Sequence, residues 1–157
     1  MKSLAGKLWR LLHLPVGVQV FFMRFFQSRF LVGVTGVIFN DKNEVLLFKH
    51  TYRQHAWSLP GGYMKAGEHP AETLEREIKE ESHLVVSVDE SLKTRTDRTG
   101  SRLDMCYIGI FIGGDFTPSR EVSECGFFSQ NTMPLLRSNQ VFLIEEALQQ
   151  KQFNKRI

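Results

Sequence analysis

Between Gly61 and Glu81 the chain reads Gly-Gly-Tyr-Met-Lys-Ala-Gly-Glu-His-Pro-Ala-Glu-Thr-Leu-Glu-Arg-Glu-Ile-Lys-Glu-Glu, a glycine-rich turn that must deliver directly into a helix. Pro70 suits the first helical position, where its missing N–H costs nothing. Leu74 and Ile78, four apart, form the stripe that such a helix buries. At about 100° per residue, Glu77, Glu80 and Glu81 fall within roughly a 100° arc beside that stripe. Like charges at this spacing repel, and a charge run on a helix is ordinarily a solvated face. Here the cluster borders the core and follows a glycine turn, which favours another use. A hard divalent cation takes oxygen ligands, one or a few carboxylates together with water and substrate phosphates.

Written as spacing, the segment is Gly62, five residues, Glu68, seven residues, Arg76-Glu77-Ile78, one residue, Glu80-Glu81, one residue, His83-Leu84. This resembles the Nudix box, with one departure, His83 where the family has its last glycine. Trp57-Ser58-Leu59-Pro60-Gly61-Gly62 resembles the family's approach to the box, so the resemblance extends over residues 31–150. It implies an α/β fold, the Nudix-type α/β/α sandwich with a mixed sheet. It also implies hydrolysis of a nucleoside diphosphate linked to another moiety, by water attack on phosphorus with Mg2+ or Mn2+. Carried over by position, Glu77, Glu80 and Glu81 match the metal-binding and catalytic glutamates, without a division into base and ligand. Glu68 and Arg76 match the pair that ties loop to helix. Gly61 and Gly62 let the backbone approach the cation or the phosphates, and Gly61 joins the expected metal site. Histidine is among the residues enriched at positive φ, so the helix is expected to end near Ser82 with a small strain at His83 and no loss of chemistry.

The remaining pattern suits one domain over residues 31–157. Val32–Phe39 and Glu44–Lys49, joined by Asn40-Asp41-Lys42-Asn43, read as an antiparallel hairpin. Leu84–Val88 reads as a short strand, Leu103–Ile112 as a central one and Cys125–Ser129 as another. Asn139–Lys151, with Val141, Leu143, Ile144 and Leu148, reads as an amphipathic terminal helix. Cys106 and Cys125 show neither a paired nor a zinc spacing, which points to a reduced, cytoplasmic chain with Cys106 in the core.

Residues 1–30 form a separate, basic extension. They hold Lys2, Lys7, Arg10, Arg24 and Arg29 and no acid, so the chain's 20 Lys and Arg against 17 Asp and Glu turns slightly acidic once they are set aside. Leu4, Leu8, Leu11 and Leu12, then Val18, Phe21, Phe22, Phe25 and Phe26 after Pro15, predict two short amphipathic helices. Arg24 and Arg29 interrupt the apolar run before a membrane span accumulates, and a cleaved signal peptide fits poorly. Two uses stay open: packing on the domain or on a second subunit as a homodimer, and peripheral contact with an anionic membrane surface. Packing is favoured because phenylalanine-rich helical faces are more often buried in protein.

Substrate-reading residues lie outside the box. Arg53 is a candidate for a phosphate and Trp57 for stacking on a base, with plain packing of Trp57 under the loop as its counterpart. Lys93, Arg95, Arg98 and Arg102 surround Thr99-Gly100-Ser101, where solvation is the favoured reading and closure over an anion the other. Glu121 is a candidate for a further carboxylate near metal or water. A small nucleotide-derived substrate is preferred to nucleic acid, because the domain lacks a long basic stripe. Two other readings are a 5′-end pyrophosphohydrolase of RNA and a nucleotide sensor that no longer cleaves. Retention of all three glutamates with Arg76 and Glu68 favours an enzyme over the sensor.

Overall fold

The computed structural model describes residues 15–26, 30–51, 56–97 and 100–154. The chain divides into two units, Met1–Phe30 and Leu31–Ile157. In the first, α1 spans Val16–Phe26, and Phe21 meets Phe25 edge to face with ring centroids 5.1 Å apart. The helix expected from Leu4 to Leu12 lies outside the described residues. No described helix is long and apolar enough to cross a membrane.

The second unit is built on β1 (Leu31–Phe39), whose side chains alternate between two cores. Val34 and Ile38 join one cluster with Leu74 and Ile78, while Val37 and Phe39 join the other with Leu143, Ile144 and Ala147. The first cluster is closed by α2 (Pro70–Ser82) and the second by α3 (Ser138–Asn154), giving a sheet between two helices. Gly36 faces α2 so closely that a Cβ there would meet Leu74 Cδ2 at 2.6 Å. Leu74 and Ile78 are fully buried, and burial of each contributes about 1.5–3 kcal/mol.

The sheet is mixed. β1 pairs in parallel with β6 (Arg102–Gly113), and antiparallel with β2 (Val45–His50) and β4 (Gly61–Tyr63). β2 carries β3 (Trp57–Ser58) and β7 (Val122–Phe128), and β6 carries β5 (Val85–Asp97) antiparallel. Pairing of Gly61, Gly62 and Tyr63 with Thr35, Val34 and Gly33 sets the glycine turn against the middle of the sheet. α2 then starts seven residues after that short strand.

Two expectations change in extent. The strand after α2 runs to Asp97 instead of ending at Val88, because its polar second half finds partners on α3. Lys93 pairs with Glu146 at 2.6 Å, and Glu90 accepts hydrogen bonds from Gln150 at 2.6 Å and Asn154 at 2.8 Å. On α3, Ala147 is buried while Val141 is 38% exposed, so the stripe turns away from Val141. Cys106 is buried and free, and burial pushes its thiol up to about 11.

α2 ends at Ser82 with His83 in the left-handed region (φ 63°). The His83 N–H donates to the Lys79 carbonyl at 3.0 Å, and Lys79 Nζ donates back to the His83 carbonyl at 3.1 Å. These bonds hold a conformation that glycine adopts without strain. His83→Gly is therefore expected to raise stability by about 1 kcal/mol, read as a higher urea midpoint with unchanged slope. An unchanged or lower midpoint would show that the histidine side chain offsets its strain.

Candidate active site

The site starts from a carboxylate–guanidinium pair that closes the loop before α2. Arg76 Nε donates to Glu68 Oε1 at 2.7 Å and its Nη2 to Glu68 Oε2 at 3.1 Å, a two-pronged geometry that only the planar guanidinium provides. Glu68 Oε2 also accepts from the Lys65 amide at 3.0 Å and from the Thr73 hydroxyl at 2.8 Å. Loop and first helical turn are thus knotted at one carboxylate. Arg76 holds that carboxyl down at about 2, with the Lys65 amide adding to the effect, and Glu68 in turn pushes Arg76 above its ordinary value.

The same guanidinium reaches further. Nη2 donates to the Tyr63 carbonyl at 3.2 Å, and Nη1 lies 2.8 Å from Glu77 Oε1 and 3.2 Å from Glu80 Oε2. Arg76 is therefore more than a tie between loop and helix, because it also sets the position of two of the three clustered glutamates. Lys65 Nζ stands 3.6 Å from Glu80, so part of the like-charge repulsion along α2 is offset. Glu77 is mostly covered, Glu80 is exposed, and Glu81 is half-buried with its Oε2 shut away from solvent. Glu75, on another side of the helix, is structural: it accepts the Val88 amide at 2.8 Å.

Gly62 is fitted to Glu77. A Cβ at Gly62 would sit 2.3 Å from Glu77 Cδ and 2.6 Å from its Oε2. At Gly61 it would sit 2.3 Å from the Val34 carbonyl oxygen. The bare backbone of β4 and the Glu77 carboxylate thus share one surface. Among the described residues no trio of His, Cys, Asp or Glu side chains is gathered tightly enough to hold a metal ion unaided. The oxygen-only donor set nevertheless fits a hard cation that retains waters and takes its remaining ligands from substrate phosphates.

On the α3 side of the sheet, beside Gly61 and Gly62, lies a cavity of about 580 Å³. Its floor is a charge cluster in which Arg95 and Arg102, expected in solvent, meet the buried Asp104. Asp104 accepts from Arg95 Nη2 at 2.5 Å, Arg102 Nη2 at 2.9 Å and Thr35 Oγ1 at 3.1 Å. Burial pulls the Asp104 carboxyl up, but the hydrogen bonds and charges of Arg95 and Arg102 outweigh it and hold the group below the usual range. Burial likewise pulls Arg102 down, and Asp104 more than restores it. Arg102 also lies over the Tyr63 ring, 5.2 Å from its centroid. Solvation therefore fails for Lys93, Arg95 and Arg102, which are ion-paired. An available signal was Asp104 itself, an acid inside the apolar run from Leu103 to Ile112.

The remaining candidates are placed as follows. Arg53 and Arg98 lie outside the described residues. Trp57 packs edge-on against Phe128 at 5.0 Å and borders the α3-side core, away from the cavity lining. Glu121 is exposed just before β7, where its carbonyl accepts the Thr51 amide at 3.0 Å.

Comparison with known proteins gives the family and the fold. A family model described as NUDIX domain matches residues 29–151. An ADP-ribose pyrophosphatase from Methanocaldococcus jannaschii is 31% identical over 126 residues, covering 76% of this chain and 74% of that protein. An 8-oxo-dGDP phosphatase from Homo sapiens is 30% identical over 127 residues, covering 76% of this chain and only 39% of that longer protein. In fold, the crystal structure of a NUDIX hydrolase from Nitrosomonas europaea superimposes with a TM-score of 0.69 at 23% identity, over 78% of this chain and 74% of that one.

Two outcomes follow from the geometry. Glu68 binds its proton more weakly in the folded chain than in the unfolded one, where its pKa is near 4.5, so its contribution to stability is present above that value and is lost as pH falls towards about 2. Between pH 5 and pH 2 the native chain should lose more stability than Glu68→Gln, measured by denaturant unfolding; parallel curves would contradict the tie. Gly62→Ala should displace Glu77 and weaken Mn2+ binding, by about tenfold if one ligand contact is lost. Unchanged affinity in a calorimetric titration would remove Glu77 from the metal site.

Proposed function

Because the chain belongs to the Nudix family, we propose that it is a divalent-cation-dependent enzyme whose substrates are small nucleoside diphosphates linked to a further group. It is a hydrolase of pyrophosphate bonds. The observation that carries the finer reading is the joint placement of Glu77 and Glu80 by Arg76, next to the bare backbone at Gly61 and Gly62. The relatives' names, an ADP-ribose pyrophosphatase and an 8-oxo-dGDP phosphatase, support a nucleotide-derived substrate.

Glu77, Glu80 and Glu81, with the backbone around Gly61, are the groups that would hold Mg2+ or Mn2+. When bound, such a cation supplies neutralisation of charge on phosphate oxygens and acidification of a coordinated water. The chain's own residues supply position. Arg76 fixes Glu77 and Glu80, and Glu68 fixes Arg76. Gly61 and Gly62 leave the approach free of side chains, so phosphates can come against backbone. The cavity beside them, on the α3 side of the sheet, gives the rest of the substrate a place.

The test is product release from ADP-ribose, nucleoside triphosphates, oxidised dGTP, diadenosine polyphosphates and 5′-triphosphate RNA with Mg2+ or Mn2+, for the native chain beside Glu81→Gln. Turnover of a small nucleotide that falls by about 100-fold or more in the variant, the loss expected when a group acting in the transition state is removed, is the predicted result. Binding without turnover would favour a sensor. Preference for the RNA would replace the small substrate.

A further inference from the structure

α1 carries apolar side chains on opposite sides of its axis. At about 100° per residue, Val18, Phe21 and Phe25 fall within roughly a 60° arc, and Val16, Val20 and Met23 fall within another arc on the far side. Both arcs are open: Phe25 is 67% exposed on one and Val16 is 74% exposed on the other. A helix that is apolar all round belongs in a protein interior or in lipid. One face of a protein partner covers one arc and leaves the other in water. A lipid surface covers both, because an interfacial helix sinks by about 5–10 Å, most of the roughly 10–12 Å width of a helix. With 11 residues α1 rises about 16 Å, half the roughly 30 Å of a hydrocarbon core, so it lies along the surface and does not cross it.

Charge separates lipid from a second copy of the chain. Residues 1–30 hold Lys2, Lys7, Arg10, Arg24 and Arg29 and no Asp or Glu. Two copies meeting through α1 bring two such segments together, and their like charges repel. Anionic headgroups attract each of these residues, and Lys and Arg extend to headgroups while their stems follow apolar surface. We propose that α1 lies in the surface of an anionic lipid bilayer, with its phenylalanines among the acyl chains and the basic residues of the segment drawn to the headgroups. The two open arcs reverse the preference for protein packing drawn from the phenylalanines alone. The proposal goes beyond the hydrolase reading and stands without it.

The test is sedimentation of the full chain with vesicles of phosphatidylcholine alone and of phosphatidylcholine mixed with phosphatidylserine, at low and at high salt. The expected result is binding to the mixed vesicles that weakens at high salt, with little binding to phosphatidylcholine alone. Phe25→Ala should weaken it about tenfold or more, the loss of one buried phenylalanine, and Arg24→Gln about fivefold. Phe153→Ala, which removes a comparably exposed phenylalanine from α3, should leave it unchanged. Absence of binding to either vesicle overturns the proposal, as does equal binding to both at every salt concentration. A loss in Phe153→Ala equal to that in Phe25→Ala also overturns it. Sedimentation equilibrium without lipid identifies the competing occupant: a dimer that Phe25→Ala dissociates, in a chain that binds no vesicle, assigns α1 to a second copy and overturns the proposal.

Discussion

Arg76 is the residue on which the site depends. Three acidic side chains within two helical turns repel each other, and the loop Met64-Lys65-Ala66-Gly67 has only Met64 to pack on the core. One guanidinium answers both problems, since it closes the loop through Glu68 and the Tyr63 carbonyl while steadying Glu77 and Glu80. Lysine, a single point charge, would reach one of these partners and not the others. The side chain is only one fifth exposed, so the interactions are less screened than those of a free surface pair.

The sheet determines what this knot faces. Because β1 buries alternate residues against two helices, a single strand serves α2 through Val34, Gly36 and Ile38, and serves the cavity and α3 through Thr35, Val37 and Phe39. β4, paired across the first half of β1, brings Gly61 and Gly62 to the boundary between the two sides. Glu77 touches β4 from one layer and the cavity opens beside it on the other. A pyrophosphate held at the glycines therefore has carboxylates towards α2 and room for its remaining group towards α3.

Much of this was legible in the chain. The residues from Pro70 to His83 foretold the helix and its left-handed end, because both depend on residues a few positions apart, and the Glu68–Arg76 tie was implied by the resemblance to the Nudix box. The hairpin and the strand from Arg102 to Gly113 were legible from apolar runs and turn residues. The second half of β5 was not, because Asp89 to Asp97 is polar and becomes a strand only by pairing with β6 and finding Glu146, Gln150 and Asn154 on a distant helix. Arg95 looked solvated for the same reason, since cross-strand pairing brings it to Asp104, whereas Arg102 stands only two residues from Asp104 on one face of β6, a spacing that was locally readable. The acidic residue inside an apolar strand was the one local sign that the α3 face of the sheet holds a polar site.

The most direct measurement is a crystal structure with Mn2+ and a non-hydrolysable sugar nucleotide, located by the anomalous scattering of manganese. The account predicts manganese within about 2.2 Å of oxygens from at least two of Glu77, Glu80 and Glu81, with the phosphates against Gly61 and Gly62. Manganese bound away from α2, or phosphates bound with no metal contact to these glutamates, would contradict it.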